Sequence, residues 1–113
     1  MGEQNQSARL LGMLGLCARA GRLICGVPLI CDAMRAGRRG KVPYLVLEAA
    51  DTSANTHKRV VDRCAYYDTE TVRIAAAGDE LAHAVGHSGV LGAVAVTDRK
   101  MADAVKAILA QTG

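Results

Sequence analysis

Apolar residues along this chain change period several times, and the changes mark its elements. Leu10, Leu11, Leu14, Cys17 and Ala18 recur every three or four positions. That spacing predicts a first helix over residues 7–20. Ser7 is the expected N-cap, and Gly21 stands where a helix ends in a left-handed residue. Leu23 to Cys25 has room only for a short strand. Pro28 then falls in the first turn of a second helix, where its missing N–H does no harm. Leu29, Ile30, Ala33 and Met34 are the expected inward face of that helix, and Gly37 its stop.

After Pro43, residues 44–47 form a continuous apolar run, as in a strand covered on both faces. Asp51, Thr52 and Ser53 offer N-caps for a third helix with Val60, Val61 and Cys64 inward. Lys58, Arg59, Asp62 and Arg63 decorate its outside. Residues 71–75 are β-branched enough for a strand. Gly78 or Asp79 opens a short helix through Leu81, Ala82 and Val85, closed by Gly86. Residues 87–92 read as a flexible loop and 93–97 as the last strand. Asp98 caps a final helix with Met101, Val105, Ile108 and Leu109 inward. Strands alternating with helices predict an α/β sandwich, with helices on both faces of one small sheet.

At 113 residues the chain reads as one domain over residues 7–113 behind a disordered tail at 1–6. Half the residues are hydrophobic, which argues against general disorder. Phe and Trp are absent, and Tyr44, Tyr66 and Tyr67 are the aromatics, so the core must be aliphatic. No secretory h-region precedes the first helix, and no apolar run is long enough to cross a bilayer. The expected setting is the cytoplasm, with no membrane partner. Cys17, Cys25, Cys31 and Cys64 lack C-x-x-C or zinc-type spacing and read as free thiols, Cys17 and Cys64 on apolar helix faces.

Catalytic readings find little support. His83 and His87 are four apart, but Gly86 lies between them and no nearby Glu or Cys completes a ligand set. Asp79 and Glu80 suit a helix N-terminus better than paired acid–base chemistry. Cys25 and Cys31 stand near arginines without a base partner. No Walker loop or G-x-S-x-G is present. The chain therefore reads as a binding protein, not an enzyme, with no cofactor.

Charge says more. Fourteen Lys and Arg against eleven Asp and Glu give a net charge of +3 and a pI near 8.8. Arg19, Arg22, Arg35, Arg38, Arg39 and Lys41 crowd one stretch in which Asp32 is the only acid. Such a cluster suits several phosphates and salt-dependent binding. Gly26, just before a helix, lets a ligand approach closely and places helix N–H groups toward an anion. The scarcity of aromatics argues against a base-stacking platform for single strands, so for an RNA-binding protein structured RNA and its backbone are the expected targets.

The order of motifs resembles the bacterial YlxQ-like branch of the kink-turn RNA-binding ribosomal proteins. The resemblance spans residues 10–108. It rests on the run from Leu16 to Leu23 with Gly26, on residues 53–58, on Cys64-Ala65-Tyr66-Tyr67, on Glu80-Leu81 with Ala84-Val85-Gly86, and on Ala95-Val96-Thr97-Asp98. It implies a three-layer α/β/α sandwich with a small mixed sheet of about four strands, and binding of sharply bent, structured RNA, ribosomal RNA included. In the family the edge begins at the glycine matching Gly26, and an Asn, a Glu and a Lys on the following helix read G·A pairs and phosphate. Here Pro28, Leu29 and Asp32 hold those places. Ser53 and His57 match the next contacts, with Lys58 beside them, and the late loop over residues 87–91 supplies apolar contact through Val90 and Leu91, with Ser88 beside them. The expected RNA-binding residues are thus Arg22, Gly26, Arg35, Arg38, Arg39, Ser53, His57, Lys58, Ser88, Val90 and Leu91. The alternative is a protein-interaction module on the same fold that has lost sequence-specific RNA recognition. Apolar Pro28 and Leu29, with acidic Asp32, favour it.

Overall fold

A computed structural model describes residues 2–111, and within them every side chain but those of residues 2–5 and Arg38. Five α-helices and four strands follow one another as α1 Gly2–Arg19, β1 Leu23–Cys25, α2 Val27–Ala36, β2 Leu45–Glu48, α3 Ala54–Tyr66, β3 Glu70–Arg73, α4 Gly78–Ala84, β4 Ala93–Val96 and α5 Arg99–Ala110. A 3₁₀ turn at Gly37–Arg39 extends α2.

The strands form one mixed sheet in the order β1-β4-β2-β3. β4 runs antiparallel to both neighbours, and β2 runs parallel to β3. Strand side chains alternate between two aliphatic cores. Leu45, Leu47, Val94 and Val96 meet Leu10, Leu14, Leu81 and Val105 of α1, α4 and α5. Val46, Ala93 and Ala95 meet Val27, Ile30, Met34, Val60 and Cys64 of α2 and α3 on the other face. This is the α/β/α sandwich expected from the alternation. α4 lies close against α1 because Gly15 has no side chain: a Cβ there would stand 2.9 Å from the Ala84 carbonyl oxygen.

Several local expectations need correction. α1 starts at Gly2, so Ser7 lies inside the helix and does not cap it, and residues 2–6 are helical where a disordered tail was expected. The Gln6 amide explains part of this extension, since its Nε2 donates to the carbonyls of Ile108 and Leu109 at 3.1 and 3.2 Å and ties α1 to the end of α5. Leu29 and Val61 point outward, while Val27 and Cys31 take buried places on α2. Tyr44 precedes β2 and is half exposed. The four cysteines are free, with Cys25 partly exposed. Burial pushes the thiols of Cys17, Cys25 and Cys64 above the ordinary range.

Candidate nucleic-acid interface

The register divides the loops between two ends of the sheet. At one end, β1 finishes beside the start of β4, and the Gly26 N–H donates to the Ala93 carbonyl at 2.9 Å. β2 finishes there too, with the Ala49 N–H bonded to Gly92 O at 2.8 Å. The Leu91 N–H reaches Gly78 O at 3.1 Å, which adds the start of α4. The N-termini of α2, α3 and α4 therefore open at this end, where their unpaired N–H groups make the backbone electropositive.

The three N-termini are capped differently. Ser53 caps α3, its hydroxyl accepting from the Thr56 N–H at 3.2 Å. At α4, Asp51 Oδ1 accepts from the Gly78 N–H at 2.8 Å, and the Glu80 carboxylate accepts from the Ala77 N–H. α2 begins at Gly26 with φ 97°, without a side-chain cap and without an acid in its first turn. That positive φ is open to glycine at little cost. The family-like glycine thus marks the one of the three N-termini without a side-chain cap, in whose first turn Pro28 supplies no N–H.

The expected site residues fall into two groups. Gly26, Ser53, His57, Lys58, Ser88 and Val90 gather at this end. Ser53, Lys58 and Ser88 are exposed, and Val90 is 69% exposed at the tip of its loop. Leu91 does not belong with them: it is 3% exposed and packs into the core under α4, so its apolar surface is spent on folding. Pro28 and Leu29 face solvent on the first turns of α2, Leu29 at 58% exposure. Asp32 holds Arg35 at 2.6 Å, so that cation is partly neutralised within its own helix. Arg22 and Arg39 lie at the opposite end, where β1 and β2 begin and α2 has run out. The side chain of Arg38 lies outside the described residues. His83 is exposed beside the cleft between α1 and α4, while the His87 Nδ1 turns to the Ser88 carbonyl oxygen at 2.8 Å.

The Gly26 end also holds residues that pattern reading passed over. Glu48 closes β2 and is 2% exposed. Its carboxylate accepts from the His57 Nδ1 at 2.8 and 2.9 Å and from the Thr52 hydroxyl. Arg73, at the end of β3, donates to Thr52 Oγ1 at 3.2 Å and to Thr52 O at 3.3 Å. The available signal was Glu48 itself, a charge at the end of an otherwise apolar strand.

These features define a small α/β/α domain, one end of which is built from helix N-termini and one exposed loop. Comparison with known proteins places it further. No family model matches the chain. An RNA-binding protein YlxQ of Bacillus subtilis (strain 168) is 32% identical over 97 residues, covering 86% of this chain and 91% of the relative. Its namesake from Enterococcus faecium is 37% identical over 68 residues, 60% of this chain and 61% of that one. Among solved structures, a protein of unknown function from Bacillus halodurans C superposes with a TM-score of 0.79 at 25% identity, covering 92% of this chain and 99% of its own. The Giardia lamblia 15.5kD RNA binding protein has the same fold, with a TM-score of 0.66 at 22% identity over 93% of this chain and 85% of its own. The chain belongs to the YlxQ family.

Proposed function

We propose that this protein binds structured RNA, without catalysis, at the end of the sheet where Gly26 opens α2. The observation that carries the reading is the convergence there of an uncapped helix N-terminus with Ser53, His57, Lys58 and the exposed Val90. Helix N–H groups and Lys58 suit phosphate, and Val90 offers an apolar face to an unstacked base or sugar. The names of the YlxQ relatives support RNA as the ligand class. Kink-turn-like RNA, association with the ribosome and a cytoplasmic setting are the finer parts of the proposal. Among the described residues, no helix is long and apolar enough to cross a membrane.

One specific observation favours the protein-interaction reading: Leu29 and Val90 are both largely exposed at this end. Fluorescence anisotropy with a bent, bulged RNA helix, with and without Lys58→Ala or Val90→Asp, separates the readings. RNA binding predicts salt-dependent affinity that both substitutions weaken. If the unaltered protein binds neither bent nor plain RNA in low salt, the RNA reading is wrong.

A further inference from the structure

At the other end of the sheet from Gly26, cations from three separate segments come together. Arg22 immediately precedes β1, and its carbonyl accepts from the Thr97 N–H at 2.9 Å where β4 leaves the sheet. Two residues on, Arg99 opens α5 and lays its guanidinium 5.5 Å from the centre of the Tyr44 ring. The Tyr44 N–H bonds Val96 O at 2.9 Å, so the start of β2 joins the same end. Three residues before Tyr44, the Lys41 ammonium donates to Gly21 O at 2.8 Å, back beside Arg22. These contacts close a ring. Arg39, in the 3₁₀ turn, and Lys100, next to Arg99, stand on its rim.

Arg22, Arg39, Lys41, Arg99 and Lys100 are all exposed. None makes an ion pair with a described residue. The nearest acids are occupied: Asp98 caps α5 through the Met101 N–H at 2.9 Å, and Asp103 and Glu70 both lean on Lys106. With the neighbouring acids Asp98, Asp103 and Glu70 counted, and the Lys106 on which two of them lean, six cations stand against three acids at this end. At the Gly26 end Lys58 and Arg73 stand among Glu48, Asp51, Asp79 and Glu80.

We infer that this cationic end is a second RNA surface, which holds phosphate backbone without reading sequence while the Gly26 end holds the structured element. The inference rests on the RNA reading. Three of the five cations are arginines, whose planar forks match phosphate oxygens. An acidic protein partner fits less well, because a stable protein interface needs an apolar centre, and the one apolar side chain these contacts set among the cations is Tyr44, 37% exposed, while the exposed Leu16 and Tyr66 stand on separate helices, α1 and α3. The two surfaces face away from each other at opposite ends of the sheet, whose strands of three or four residues span roughly 10–13 Å, so two RNA segments can approach from opposite sides.

The test uses the full chain with a bent, bulged RNA and a plain RNA duplex over a salt series. The variant R22A/K41A/R99A should lose at least about tenfold in affinity for plain duplex near 0.1 M salt, and its salt slope should fall by about two to three units, roughly one per lost phosphate contact. The charge-preserving R22K/K41R/R99K should keep both. With bent RNA saturating at low salt, the unaltered protein should still take up labelled duplex and R22A/K41A/R99A should not. An unchanged slope in R22A/K41A/R99A overturns the inference and leaves the Gly26 reading standing. So does an equal loss in R22K/K41R/R99K, which would make the effect structural. If polyglutamate binds this end with salt dependence while duplex affinity is untouched, the surface belongs to an acidic protein partner and the inference falls. If the unaltered protein binds no RNA at all, both readings fall together.

Discussion

The His57 imidazole rests its Nδ1 across both oxygens of Glu48, at 2.8 and 2.9 Å, and Glu48 is the one buried charged residue among those described. A buried carboxylate is tolerated only when its oxygens are satisfied. Here the imidazole and the Thr52 hydroxyl do so, and Arg73 holds Thr52 in place. The pair also fixes His57, whose side chain remains 42% exposed.

That arrangement predicts non-additive stability. His57→Ala strips the carboxylate of one of its two side-chain donors and should cost about 1–3 kcal/mol in urea unfolding. Glu48→Leu in the same background removes the unsatisfied charge and should recover much of that loss. Strictly additive losses in the double-mutant cycle would mean that the two side chains are not coupled.

Gly78 predicts a link between packing and RNA binding through the 87–92 loop. A Cβ at this buried position would stand 2.5 Å from Val90 Cγ1 and 2.8 Å from Leu91 O. The Val90 side chain can swing away, but the Leu91 backbone cannot, because its N–H is bonded to Gly78 O. Gly78→Ala should therefore cost about 1–3 kcal/mol of stability, and it should weaken RNA binding even under conditions where the protein remains folded. Full affinity in the folded variant would show that the 87–92 loop does not touch the ligand.

Much of this architecture was legible in the sequence, and the reasons are physical. Val46 and Ala95 lie in short apolar runs between capped helices, and a run covered on both faces has few places to go but the centre of a sheet. Gly26, Gly37 and Gly86 all have positive φ, so their turns were readable from residue type alone. Leu29, Val61 and Leu91 were misjudged because a single apolar residue reports hydrophobicity and not direction. The division of the site was only partly within reach. The predicted strand at residues 23–25 already sets Arg22 and Gly26 at opposite ends of β1, but whether Arg99 joins Arg22 and Lys41 depends on strand order and register between residues about fifty to seventy apart. Local pattern carries no such information.

The buried thiols predict an alkaline weakness. Desolvation raises Cys17, with Asp98 adding to the effect, and desolvation again leads the causes at Cys64. The folded state thus keeps thiol protons that the unfolded chain releases above its ordinary pKa of about 8.5. The associated stability is fully present below that pH and is lost as pH rises toward the folded values. The urea midpoint should drop more between pH 7.5 and 9.5 in the unaltered protein than in Cys17→Ala/Cys64→Ala, whatever the cavity cost of those changes at neutral pH. Equal slopes in the two proteins would remove the thiols from the account.

The last prediction concerns what the Gly26 end can read. On α2, Pro28, Leu29 and Asp32 hold the places where the family presents a base reader and a phosphate partner, and all three are exposed. Leucine offers neither donor nor acceptor to a base edge. Asp32 would repel phosphate, and its charge is already turned to Arg35 at 2.6 Å. A good bidentate base contact is worth about 1–3 kcal/mol of discrimination, and that contribution should be missing here. Native preference for a kink-turn over a control with its G·A pairs replaced should therefore be slight. Leu29→Glu with Asp32→Lys should raise that preference by at least about tenfold, or roughly 1.4 kcal/mol. The exchange frees Arg35 and sets a like charge three residues away, which costs only a few tenths of a kcal/mol on an exposed helix face. Adding Pro28→Asn completes the set if the first turn of α2 accepts it, as its outward position suggests. Strong discrimination by the unaltered protein would show that this branch reads RNA through other residues, with His57, held by Glu48, the first to test.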